Sequence, residues 1–153
     1  MNRRMLTALL ALVGVFVALY LALYKAGVIG VLACGAGSCE TVQLSRWATF
    51  IGLPVAYWGV AYYAVVFAVA FAVTQERWSD SRRLTLTLVL LTGWGVVFSA
   101  WLTYLELFVI NAICRWCVVS AVIAVVLFAL VWWDYRVTGK ANEPGRQEPI
   151  TLS

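Results

Sequence analysis

AICRWCVVSAVIAVVLFALVWW, residues 112–133, decides how this chain must be read. It is 22 residues long and holds one charge, Arg115, near its start. A helix needs about 20 residues to cross the hydrocarbon core of a bilayer. The stretch therefore reads as a membrane span, and it opens on a CxxC pair, Cys114 and Cys117.

Three more runs have the same character. They are Met5–Tyr24, Pro54–Thr74 and Leu84–Leu105, each 20 to 22 residues and free of charge. The whole chain of 153 residues is 64% hydrophobic and 12% charged. A soluble domain is nearer half apolar, with about a quarter of its residues charged. The surplus has to face lipid. Inside lipid each backbone polar group must be paired within its own segment, so the runs are expected to be helices.

The fold expected is an all-α integral membrane protein, a bundle of four transmembrane helices. Residues 1–133 form its membrane domain, and residues 134–153 read as a disordered cytoplasmic tail, with Gly139, Pro144, Gly145 and Pro149 among polar residues. The long outer connection covers residues 25–53. Its first half is glycine-rich, and Glu40–Ile51 has the composition of a short interfacial half-helix with Val42, Leu44, Trp47, Phe50 and Ile51 on its apolar face. Pro54 suits the first turn of the second span, where its missing N–H costs nothing. The stretch 106–111 reads as a short loop holding spans three and four antiparallel.

Charge sets the expected orientation. With alternating spans, eight Lys and Arg residues fall on the side of the termini and three (Lys25, Arg46, Arg115) on the other. That asymmetry predicts both termini in the cytoplasm. All four cysteines then face outward, where disulfides persist. No basic cluster adjoins a soluble surface of useful size, so nucleic acid is not an expected partner. A rival reading takes Met1–Arg4 and the first run as a secretory signal, with Val31–Cys34 as a lipoprotein-like cleavage site. The run is too long for that, and Lys25 interrupts the path.

The chemistry lies in the cysteines. Cys114 and Cys117, three apart, share one helix face. Cys114 sits where a helix N-terminus favours an anion, and the thiolate is the reactive form. Cys34 and Cys39 flank Gly-Ala-Gly-Ser, so a bridge there closes a small ring. Such a ring restricts the unfolded chain little, and suits exchange better than stapling. Two close pairs at one membrane face therefore suggest a relay of two electrons. Two inert structural disulfides, or a Cys₄ zinc site, are the competing accounts; zinc is disfavoured because the CxxC heads a span. CxxCH haem attachment is excluded, because Val118 follows Cys117.

Three further residue groups bear on the site and its setting. Trp47, Trp78, Trp116, Trp132 and Trp133 suit an interfacial belt. Trp94 and Trp101, seven apart within the third span, read as core packing. Glu106, Tyr104 and Arg115 lie near the outer end of the bundle. One of them, or water, would have to move protons, since histidine is absent from the sequence; a surface charge is the simpler account of Glu106.

Cys34-x4-Cys39, Ser45, Gly52-Leu-Pro54, Gly59 and Cys114-Arg-Trp-Cys117, in that order, resemble the vitamin K epoxide reductase (VKOR) family. The resemblance covers roughly residues 5 to 133 and implies a four-helix bundle around a quinone, capped by an outer half-helix. Bacterial members are similar to disulfide-forming oxidases that reoxidise a thioredoxin-like (DsbA-like) periplasmic protein and reduce ubiquinone or menaquinone. The resemblance implies Cys114 and Cys117 as the active-site pair, with Cys117 nearest the quinone, and Cys34 and Cys39 as the shuttle pair. It implies Ser45 as a support of the site, and Trp47 and Phe50 as lining or capping residues. It places the protein in the bacterial inner membrane. The chain departs from mammalian members at Val55 and Ala121, which stand where those carry an asparagine and a tyrosine, so the resemblance leaves open whether vitamin K epoxide is a substrate. The tail is too short for a fused thioredoxin-like domain, so the partner is expected to be separate. A DsbB-type oxidase would carry its CxxC in the first outer loop, and a membrane scaffold would hold fixed disulfides.

Overall fold

The computed structural model describes residues 2–34, 38–75, 77–78 and 81–141, with side chains to Thr138. Four long helices are apolar enough to cross a bilayer: α1 (Arg3–Lys25), α3 (Val55–Thr74), α4 (Arg82–Tyr104) and α5 (Arg115–Ala141). The expected all-α membrane bundle is what the chain forms. A short helix, α2 (Ser38–Leu44), and a two-residue hairpin, β1 (Thr49–Phe50) with β2 (Leu53–Pro54), cover its cysteine-bearing end.

Small residues let the helices approach. α1 lies along α3 and against α5, while α4 leans mainly on α5. Ala8, Ala11 and Ala18 of α1 meet Tyr63, Val66 and Ala70 of α3, and Leu127 and Val131 of α5 complete the core. Gly14 is required at this crossing, because a Cβ there would run into the Tyr63 ring. In lipid, such close packing replaces the hydrophobic drive as the source of association. The Tyr63 hydroxyl lies 2.8 Å from the Ser120 carbonyl, to which it donates, and so ties α3 to α5. Phe16, Leu90 and Val97 point outward, 62, 72 and 64% exposed, as lipid-facing side chains do.

At the end away from the cysteines, Arg4 pairs with Asp134 at 3.2 Å. Arg3 lies over the Trp133 ring and Arg136 over Trp132. These aromatic–cation contacts suit a membrane interface.

Several boundaries differ from the sequence reading. The half-helix expected over Glu40–Ile51 is only Ser38–Leu44, followed by a single 3₁₀ turn (Arg46–Ala48) and the hairpin. Thr49, Phe50 and Ile51 are β-formers, and Ile51 and Gly52 both take positive φ (53° and 77°), as a two-residue hairpin turn requires. Trp58 Nε1 donates to the Phe50 carbonyl at 3.1 Å and pins the hairpin to α3. Pro54 stands one residue before α3, not within its first turn.

The stretch expected as the loop 106–111 continues α4 as a π-helical turn, Leu105–Ile110. Left-handed Asn111 ends it, with φ 53°. α5 starts at Arg115 rather than Ala112 and runs helically to Ala141, well past Trp133, where a disordered tail was expected to begin. Asp134 of this extension meets the start of α1 through its pair with Arg4. The remainder of that tail lies outside the described residues. Trp94 and Trp101 are not core: they are 68 and 56% exposed on α4.

Candidate active site

The two cysteine pairs meet at one end of the bundle. Cys34 and Cys39 are joined by a disulfide, while Cys114 and Cys117 are free thiols. Cys34, Cys39 and Cys114 belong to one packed cluster with Leu21, Ala22, Leu32, Val42 and Ala56, and Cys117 packs against it. The cap pair is therefore covered rather than swinging in solvent: Cys34 is 5% exposed and Cys39 fully buried. Tyr20 holds the cap from below, accepting the Ala33 N–H at 2.9 Å. Residues 35–37, on which the expected swing of the loop rested, lie outside the described residues.

Cys114 is the residue immediately before α5. Its carbonyl accepts the Val118 N–H, the first turn's bond of that helix. Its sulfur lies 3.4 Å from the Cys117 N–H, in the position of a capping side chain. The CxxC spacing thus spans one N-terminal turn, where helix N–H groups favour negative charge. The Cys117 thiol donates to the Cys114 sulfur and, with the backbone donors of this turn, holds the Cys114 thiol below its ordinary range. Cys114 is the better thiolate of the pair.

Two polar side chains of this site differ from the sequence reading, which offered Glu106 as a proton carrier but favoured a surface charge, and did not name Gln43. Glu106 is not a surface charge. It is 5% exposed, and its Oε2 accepts the Cys114 N–H at 3.1 Å. Its carbonyl closes the turn by accepting the Asn111 and Ala112 N–H groups. The π-helical turn is what aims it inward, and such turns recur at functional sites. Its visible signal was an acidic residue at the end of a charge-free span, eight residues before Cys114. Gln43 was not singled out at all. It is 6% exposed on α2 and directs Nε2 at the Cys117 sulfur, 3.7 Å away. A neutral polar residue between Val42 and Leu44 was its only trace.

A cavity of about 620 Å³ lies beside this site. Cys117, Glu106 and Gln43 form its reactive corner. Ser45, Trp47 and Phe50, all expected around a ligand, do line it. Ser45 Oγ donates to the Val42 carbonyl at 2.8 Å and so supports the end of α2. Phe50 sets its ring edge-on to Trp58 and Phe98, bridging the cap to α3 and α4. Val55 and Ala121 also lie in the wall. Cys34, Cys39 and Cys114 stand behind the wall, so of the four cysteines only Cys117 faces the cavity. Tyr62 lines it as well, and its buried hydroxyl has no partner among the described residues. That hydroxyl rests on Gly95 of α4, where a Cβ would displace it.

A carboxyl, an amide and a thiol at one cavity, with a second thiol behind its wall, can accept a proton, orient a sulfur and exchange electrons through a disulfide. No curated protein matches the chain by sequence. The profile of the vitamin K epoxide reductase family matches residues 5–132, nearly all of the membrane bundle and both cysteine pairs. Family membership carries with it a multi-pass membrane protein with thiol oxidoreductase chemistry, as the paired cysteines independently suggest. A cavity walled by one CxxC sulfur, beneath a disulfide-bearing cap, is thus the site of a chain that belongs to the vitamin K epoxide reductase family.

Proposed function

We propose that this protein is a quinone-linked disulfide-forming oxidase that draws electrons from a separate thioredoxin-like periplasmic protein. The observation that carries the reading is the order of the sulfurs. A covered disulfide pair, Cys34–Cys39, packs on Cys114, and Cys117 alone opens on a lipid-sized cavity.

The cavity fits a quinone headgroup. Ligand pockets are typically 300–1,000 Å³, apolar and marked by a few polar groups. This one is lined mainly by apolar side chains, and the orphaned Tyr62 hydroxyl offers a donor in its wall, against Gly95. Trp94 and Trp101 border the cavity and face outward, so it opens sideways, toward lipid. When bound, a quinone (ubiquinone or menaquinone) supplies a two-electron, two-proton acceptor.

The chain's own residues carry the rest. A partner thiolate attacks Cys34, forming a mixed disulfide and releasing Cys39 as a thiolate. The partner's second thiol then breaks that mixed disulfide, leaving the cap pair reduced and the partner oxidised. Cys39 attacks Cys114 of an oxidised Cys114–Cys117 pair, and Cys117 leaves as a thiolate. Cys34 closes on Cys39, restoring the cap disulfide and freeing Cys114. Each exchange breaks one S–S bond and forms another. The bridge is covered, so the partner's approach has to displace part of the cap. The excess of Lys and Arg on the terminal side supports termini in the cytoplasm and cysteines outside, in a bacterial inner membrane.

The test uses the purified chain in lipid nanodiscs, with a reduced DsbA-like protein and ubiquinone or menaquinone analogues. Turnover is expected with wild type and not with Cys117→Ala. Impermeant thiol labelling of cells should reach the cysteine end from outside. Normal turnover by Cys117→Ala, or cytoplasmic cysteines, would overturn the reading.

A further inference from the structure

The feature left over is a buried carboxyl in a site with no cation. Glu106 has two neighbours of consequence: the Cys114 N–H, which it accepts, and the Cys117 thiol, close enough to interact with it. Among the described residues the one ion pair is Arg4–Asp134, at the other end of the bundle. The sequence has no histidine. The other polar side chain at this corner is the neutral Gln43 amide from α2, and the other titratable groups of the cavity wall are Tyr62 and Tyr63 of α3.

A buried carboxylate persists only while hydrogen bonds replace water. With both thiols reduced, Glu106 has an N–H donor, and the one Cys117 S–H is shared between the Cys114 sulfur and the Glu106 carboxylate. Once Cys117 is in a disulfide, the S–H is gone. One backbone N–H is then left to hold an otherwise unpaired buried charge, and neutralising the carboxyl becomes the favourable course.

We propose that Glu106 is the redox-linked proton store of the dithiol: a carboxylate while Cys117 is a thiol, and a carboxylic acid once Cys114 and Cys117 are joined. The inference rests on the reading of Cys114–Cys117 as the redox pair. In the oxidation two S–H bonds break, one S–S bond forms, and two electrons leave to the acceptor, a quinone in the membrane or glutathione disulfide in a test, which takes two protons from the medium. The Cys117 proton moves to Glu106, and the Cys114 proton goes to water. Reduction runs the same transfers backwards. Glu106 is thus a positioning residue for the Cys114 backbone and a proton acceptor for Cys117.

Infrared difference spectra test this without any quinone. The full chain in nanodiscs is poised between dithiol and disulfide with glutathione buffers. Wild type is expected to gain a protonated-carboxyl C=O band on oxidation, shifted in deuterated water. Glu106→Gln should lose the band while its amide oxygen still accepts the Cys114 N–H. Glu106→Asp should show it at a different frequency. With glutathione disulfide as oxidant, net proton uptake per disulfide formed should be about one in wild type against about none in Glu106→Gln. A purely structural Glu106 gives no band change, and that result in wild type alone overturns the proposal even if Glu106→Gln fails to fold. A band without transfer to quinone or partner would keep this inference and sink the proposed function; turnover without a band would do the reverse.

Discussion

The two cysteine pairs sit within one packed cluster and yet occupy opposite chemical settings. Cys34–Cys39 is a formed bridge among Leu21, Leu32, Val42 and Ala56. Around Cys114 and Cys117 stand a helix N-terminus, the Gln43 amide and the Glu106 carboxyl. The contrast separates two jobs. The cap pair needs only a bond that can be traded. The second pair has to stabilise a thiolate and dispose of a proton, so the polar groups gather there.

The widest separation is expected from deleting one sulfur of each pair. Cys117→Ala should abolish quinone reduction from every thiol donor, by roughly a thousandfold or more, whereas Cys34→Ala should lose only the protein donor and still oxidise dithiothreitol. Equal loss with both donors would erase the distinction. Next comes Gln43→Leu, which removes a hydrogen bond worth about 1.5 kcal/mol to a charged sulfur, or roughly tenfold in Cys117 reactivity. Methanethiosulfonate labelling should slow at Cys117 and be unchanged at a reduced cap.

Tyr20→Phe acts on the other pair. Freeing the Ala33 N–H should loosen the cap by about 0.5–1 kcal/mol, speeding thiol exchange at Cys34 by roughly two- to fivefold and leaving Cys117 unaffected. The smallest effect is in titration. Cys114 ionises below the ordinary thiol range because the Cys117 thiol and the helix turn donate to it. Its thiolate absorbance should therefore rise at lower pH than that of a free cysteine. A lowered folded value adds stability above the unfolded one, and that increment is lost as pH falls through the folded one. A Cys117→Ser variant, which keeps a donor, should preserve the direction, and Cys117→Ala should weaken it.

The spans were legible because runs of some 20 apolar residues leave a chain no alternative in lipid. The cysteine pairs were legible because their spacing is chemistry in itself. Glu106 was not, since its burial depends on a π-helical turn that no hydrophobic period announces. Gln43 was hidden for a related reason: α2 is too short to show a face. The hairpin Thr49–Pro54 fell below any periodicity window, and its turn carries Ile51 where Asn or Gly would have signalled it. Trp94 and Trp101 misled because, in a membrane protein, large aromatics are as much at home outside as inside.

That Ile51 has a further consequence. A β-branched residue at φ 53° costs roughly 1–2 kcal/mol, and its side chain is 77% exposed. Replacing it with asparagine would relieve the backbone and raise the unfolding temperature in detergent. The same change would take away an oily peg from the rim of the cap, so a variant chosen for durability on the bench would ride higher in a bilayer.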